Sequence, residues 1–126
     1  VWEAVHKATL RKIRERGERT YKRFLKMKNL VNRLDGVGDA LAKRFLSEVR
    51  EGLFGDSIYF MITGGSHING ETLSFFSGIG YHLVNGYGMT EIGITSLETT
   101  SKTKLVAKAS IGAPFGFTEY SLSPSG

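Results

Sequence analysis

Seven residues in a row, Ser57-Ile-Tyr-Phe-Met-Ile-Thr63, are mostly apolar and rich in strand formers, and two glycines follow at once. A half-exposed strand alternates apolar and polar side chains. A run apolar on both faces belongs to a strand covered on both sides, inside a sheet. Asn69 then suits the N-cap of a helix over residues 70–80, with Leu73, Phe75, Phe76 and Ile79 turned to the core. Tyr81 to Asn85 reads as a second strand, and Gly86-Tyr87-Gly88 as the loop after it. Strand, helix and strand within about thirty residues predict a βαβ unit, in which a right-handed crossover joins parallel strands. Glu98 to Lys104 is polar, and Leu105–Ile111 and Phe117–Leu122 are strand-like.

The stretch before this pattern has a different character. Residues 1–50 carry 14 Lys/Arg against 6 Asp/Glu, a balance of +8, whereas residues 51–126 carry 3 against 6. Val1, Val5, Ala8, Leu10 and Ile13 approximate one helical stripe, and Gly17 breaks it. Tyr21, Phe24, Leu25, Leu30 and Val31 form a second. Asp35-Gly36-Val37-Gly38 reads as a turn. Asp39 suits the cap of a third helix carrying Leu41, Ala42, Phe45, Leu46 and Val49, closed by Gly52 or Gly55. The expected class is therefore α/β: a basic helical segment over residues 1–55, then a βαβ core and following strands over residues 56–126.

The basic balance allows a solvated helix face, contact with an acidic membrane surface, or a small nucleic-acid module with Tyr21 and Phe24 interleaved. The last accounts for nothing between Gly64 and Glu91, so no nucleic-acid partner is expected. The chain has no cysteine, which excludes disulfides, thiolate metal sites and a cysteine nucleophile. No apolar run approaches the ~20 residues that span a bilayer. His6, His67 and His82 lack metal-ligand spacing. Ser66 and His67 are neighbours that point to opposite sides of an extended chain, with no acid partner, so they are no catalytic dyad.

In open α/β sheets, ligands bind beyond the carboxyl ends of the strands. Both glycine clusters stand there: Thr63-Gly64-Gly65-Ser66 after the first strand and Gly86-Tyr-Gly-Met-Thr-Glu91 after the second. Glycine lets backbone approach a flat ring or a phosphate. Tyr87 offers a stacking face, Thr90 a hydroxyl, and Glu91 a carboxylate suited to Mg²⁺. Together they point to a nucleotide; the alternative is that the glycines only make tight turns.

Phe60-Met-Ile-Thr-Gly-Gly-Ser66, an intervening helix and Gly86-Tyr-Gly-Met-Thr-Glu91 resemble the adenylate-forming superfamily of acyl-CoA synthetases, luciferases and peptide-synthetase adenylation domains. Ser110-Ile-Gly-Ala-Pro114 is similar to that family's Ser-Val-Gly-x-Pro stretch. The basic opening headed by Val1-Trp2-Glu3 is similar to the region before this core in long-chain acyl-CoA synthetases. The resemblance spans nearly all of the chain and is strongest over 57–116. It implies that Gly64, Gly65, Ser66 and His67 line one side of adenine. Asn85, Gly86, Tyr87, Gly88 and Met89 would line the other, with Tyr87 stacked on the ring. Thr90 would reach the α-phosphate and Glu91 would hold Mg²⁺. It implies ATP (as AMP in the product), a fatty acid and CoA as reactants, in an enzyme that is cytoplasmic or peripheral to a membrane.

His67 stands where that family commonly has proline. The family's phosphate loop with its lysine, its ribose-gripping Arg-x-x-Asp stretch and its C-terminal lid domain are not found in these 126 residues. The chain is therefore expected to be an internal segment of a longer parent, inactive without the rest.

Overall fold

The computed structural model describes residues 1–34, 37–100 and 102–124. The basic segment folds as two long helices, α1 (Trp2–Glu15) and α2 (Glu18–Arg33), and two short ones, α3 (Gly38–Phe45) and α4 (Ser47–Glu51). Gly17 separates α1 from α2 at φ 120°, a backbone region that L side chains rarely adopt. Each long helix buries a narrow stripe, Thr9 and Ile13 on α1, Phe24 and Val31 on α2. Lys7, Arg11, Arg14, Arg19, Lys22 and Lys26 face solvent. The expected single third helix is divided at Leu46 and ends at Gly52. The turn expected at Asp35-Gly36 lies outside the described residues; Asp39, expected to cap the third helix, falls inside α3, whose N-cap position is Val37. Among the described residues no helix is long and apolar enough to cross a membrane.

The second part contains β1 (Met61–Thr63), α5 (Gly70–Gly78), β2 (Leu83–Met89), β3 (Gly93–Leu97) and α6 (Thr103–Ala107). The sheet order is β1-β2-β3. β1 runs parallel to β2, with Met61 opposite Leu83 and Thr63 opposite Asn85. β3 runs antiparallel to β2. The chain is thus mixed helix and sheet, compatible with the α/β class.

Helix α5 is the centre of the core. Asn69 caps it as expected, its Oδ1 accepting from the Glu71 amide at 2.9 Å. Phe75, Phe76 and Ile79 are almost fully buried. α2 packs closely on α5 because Gly78 has no side chain: a Cβ there would come 2.4 Å from Lys28 Cγ. His6 stacks on Phe75 at 4.2 Å and meets Thr72 Oγ1 through Nδ1 at 3.1 Å. Its pKa is lowered by burial first and by the nearby Lys28 charge second.

Arg50 joins the helical part to the sheet. It is 1% exposed, donates to the carbonyls of Ile79 (2.9 Å) and Gly80 (2.7 Å), and pairs with Asp56 at 2.6 Å. Its guanidinium lies over the Tyr81 ring, whose hydroxyl donates to the carbonyls of Arg50 and Gly55. The end of α4 and the approach to β2 are therefore one unit.

Several sequence expectations need correction. The strand expected over 57–63 is confined to Met61–Thr63. β1 lies at the sheet edge, and Tyr59 and Phe60 are 92% and 50% exposed rather than buried. The loop expected at Gly86–Gly88 is inside β2, because these residues pair with β3. β3 itself was not anticipated. The strand expected over Leu105–Ile111 is replaced by helix α6, which packs on α5. Gly70 permits that contact, since a Cβ there would lie 2.0 Å from Ala107 O. Phe117–Leu122 forms no strand. Phe45, expected in the core, is 55% exposed beside Arg44.

Candidate functional site

The parallel pairing of β1 with β2 brings the two glycine clusters together. A Cβ on Gly64 would lie 3.0 Å from the Gly86 carbonyl, so the backbones touch where side chains would keep them apart. The turn after β1 continues through Gly65 at φ +79°, again a glycine conformation. An open groove of about 340 Å³ runs along this junction. One wall is Ile62, Thr63, Gly64 and Gly65; the other runs from Gly86 through Tyr87, Gly88 and Met89 to Thr90. Gly93, Ile94 and Leu97 of β3 complete it.

The second wall is a paired strand, its register with β3 shifting between Tyr87 and Gly88. Gly88 allows this: a Cβ there would stand 2.4 Å from Gly93 O and 2.8 Å from Ile94 Cα. β2 turns into β3 at Thr90-Glu91-Ile92, where the Ile92 amide donates to Met89 O at 3.2 Å. Gly93 closes the turn at φ +74°. Tyr87 is 42% exposed in the groove and meets the edge of Tyr120 at 6.3 Å. Behind it, Thr95 Oγ1 donates to Tyr87 O at 3.2 Å and meets the Tyr120 hydroxyl at 2.5 Å.

Of the residues singled out in the sequence, Gly64, Gly65, Gly86, Tyr87, Gly88, Met89 and Thr90 line this groove. Ser66 and His67 are exposed in the turn that follows Gly65. Glu91 is exposed in the β2–β3 turn, next to Thr90. Its carboxylate makes no hydrogen bond or ion pair with the described residues, so its oxygens are open to a ligand. Among the described residues no group of three or more acidic or histidine side chains could hold a metal. A single free carboxylate suits Mg²⁺, which keeps several waters and takes substrate phosphate oxygens rather than sitting in an all-protein cage.

Asn85 does not line the groove. It is buried, and its Nδ2 donates to the Ala109 carbonyl at 2.8 Å. Glu98, which opens the polar stretch of the sequence, is buried too. One carboxylate oxygen accepts from the Thr100 amide (3.0 Å) and hydroxyl (2.6 Å), and the other from Ser110 Oγ at 2.5 Å. Burial alone would push its pKa up; the hydrogen bonds from Ser110 and Thr100 and the charge of Lys102 outweigh it, and the carboxyl is held below its ordinary value.

Ser110-Ile-Gly-Ala-Pro114 runs beside β3. Gly112 has φ +77°, and a Cβ on it would stand 2.1 Å from Leu97 O. Pro114 bridges Ser96, and the Phe115 amide donates to Thr95 O at 2.9 Å. The contributions of Ile94, Leu97 and Tyr120 to the groove region escape sequence reasoning. The one available signal was the apolar alternation Ile92-Gly93-Ile94, which marks a strand after the glutamate.

The groove thus lies between the glycine turn after β1 and the glycine-bearing half of β2, with the Tyr87 ring and Thr90 along one wall and Glu91 exposed in the turn beyond. The chain belongs to the AMP-binding enzyme family, whose model matches residues 8–123. The match makes it part of an ATP-dependent adenylate-forming ligase. No curated protein and no solved structure matches the chain.

Proposed function

We propose that this chain is the nucleotide-binding segment of a ligase that activates a fatty acid with ATP and passes the acyl group to CoA. The observation that carries the nucleotide assignment is the contact of Gly64 with Gly86, which sets the two motif segments across one groove. In this reading β1, α5 and β2 are the βαβ unit of a larger parallel sheet. The exposed apolar side chains of Tyr59, Phe60 and Ile62 support that reading, since an edge this apolar suits further cover from the rest of the parent. The fatty-acid preference rests on the resemblance of the basic opening to long-chain enzymes.

Adenine lies between the Gly64–His67 turn and the Gly86–Met89 strand, stacked on Tyr87. Thr90 donates its hydroxyl to the α-phosphate. Glu91 would hold Mg²⁺, which would supply charge neutralisation at the phosphates. Asn85 holds β2 in place through Ala109 instead of touching the ring. The fatty-acid carboxylate oxygen attacks the α-phosphorus, the bond to pyrophosphate breaks, and an acyl-adenylate forms. The CoA thiolate then attacks the acyl carbon and AMP leaves. In-line attack of this kind needs positioning and charge neutralisation more than a strong base. The remaining parts of the parent, including its lid domain, supply the other groups.

The test is fatty-acid-dependent pyrophosphate release by the full-length parent. Glu91→Ala is expected to slow it about 10²–10³-fold, the usual loss for one preorganised electrostatic partner. Tyr87→Ala is expected to weaken ATP binding by about 1–3 kcal/mol through lost stacking. Glu51→Ala, exposed and remote in α4, is the control. A folded Glu91→Ala protein with near-normal turnover would falsify the metal assignment.

A further inference from the structure

Glu98 is a buried carboxylate that the proposed chemistry does not use. It stands one residue beyond β3, and its amide donates to Asn85 O at 2.9 Å, extending the β2–β3 ladder. Its side chain turns the other way, to Thr100 and Ser110. Ser110 Oγ in turn accepts from the Gly112 amide at 3.2 Å. The fit of Gly112 against Leu97 O follows, then the Pro114 bridge to Ser96 and the Phe115 hydrogen bond to Thr95. Thr95 is the residue that holds the Tyr87 carbonyl and the Tyr120 hydroxyl. A continuous chain of contacts therefore runs from the Glu98 carboxylate to the ring that faces the groove.

Resting on the nucleotide reading above, we propose that Glu98 is a positioning residue for that groove. Its carboxylate fixes Ser110 and so the segment 110–120 that backs Tyr87. Buried carboxylates with all their hydrogen bonds made lock one arrangement of the surrounding chain. Here the arrangement locked is the back of the adenine platform, so its loss is felt as nucleotide affinity. The reacting groups Thr90 and Glu91 lie on the turn beyond the ladder, and Glu98 touches neither.

The experiment is steady-state adenylation by the full-length protein, with Glu98→Ala, Ser110→Ala and Glu98→Gln. Loss of hydrogen bonds to a charged group predicts that Glu98→Ala raises KM for ATP about tenfold while kcat stays within about twofold. Ser110→Ala shifts KM in the same direction by less. Glu98→Gln keeps an acceptor for Thr100 and falls between wild type and Glu98→Ala. A merely structural role gives the opposite split, a lower kcat from a smaller active fraction with KM unchanged, and that result overturns the proposal. KM for ATP unchanged in folded Ser110→Ala overturns it as well, even where Glu98→Ala fails to fold. Wild type without ATP-dependent adenylation is a different failure, that of the nucleotide reading itself.

Discussion

Gly112→Ala is the substitution whose cost follows most directly from the geometry. Two effects act together. At φ +77° an L residue pays the left-handed penalty, about 1–2 kcal/mol. The new methyl also falls 2.1 Å from Leu97 O, 2.4 Å from Leu97 C and 2.8 Å from Glu98 N, where ordinary contact begins at 3.4 Å. All three are backbone atoms at the end of a paired strand, so the segment has to move by more than an ångström. Moving it breaks the Phe115–Thr95 hydrogen bond, the Gly112–Ser110 hydrogen bond and the Pro114 bridge to Ser96. At about 1 kcal/mol for each of the two hydrogen bonds, the total comes to about 3–4 kcal/mol. Gly116→Ala is the matched control, because nothing lies within 4 Å of a Cβ there; its effect should stay within about 0.5 kcal/mol. Urea melts of the full-length protein measure the difference, and exchange of the Phe115 amide localises it. If Gly112→Ala melts with the control and the Phe115 amide stays equally protected, the close fit against β3 is not what makes glycine necessary.

Two other expectations concern buried charge. Arg50→Ala removes the donor to Ile79 O, Gly80 O and Asp56 at once, and should destabilise by about 3 kcal/mol or more; an unchanged melting temperature would remove Arg50 from the core account. Glu98 is an acid held below its ordinary value of 4.5, so its contribution is complete above pH 4.5 and disappears as pH falls through the lower folded value. Stability measured between pH 6 and 3 should fall more steeply for wild type than for Glu98→Gln, and parallel curves would contradict the assignment.

The parts legible in the sequence are those where one residue type has one local use. Asn69 announces a cap, Gly17 a break, and Phe75 and Phe76 a core, and the structure has each of them. The glycine clusters of the groove were legible for the same reason. What was hidden depends on distant partners. Gly86 and Gly88 look like loop residues until β3 is known to lie against them; at Gly88 a Cβ would then stand 2.4 Å from the Gly93 carbonyl, so a side chain there has no room. Leu105–Ile111 has strand composition, and the packing of α6 on α5 overrides it. The burial of Glu98 was hidden because nothing nearby in the chain foretells Ser110 as its partner.

The register of the sheet also has a consequence in time. β2 and β3 are joined by a turn of three residues and can pair within about 1–10 µs of being free to do so. β1 pairs with residues 22 positions later, Met61 with Leu83. At a synthesis rate of about 5–20 residues per second, β1 precedes its partner from the ribosome by on the order of one to four seconds. Throughout that interval the most apolar run in the chain is exposed and unpaired. Nascent chains stalled with β2 still inside the tunnel should therefore be held by chaperones that recognise hydrophobic segments, and chains stalled after β3 has emerged should be held more weakly, with Tyr59 and Phe60 still exposed at the edge. The groove wall that begins at Ile62 is synthesised first and gains its partner strand only afterwards.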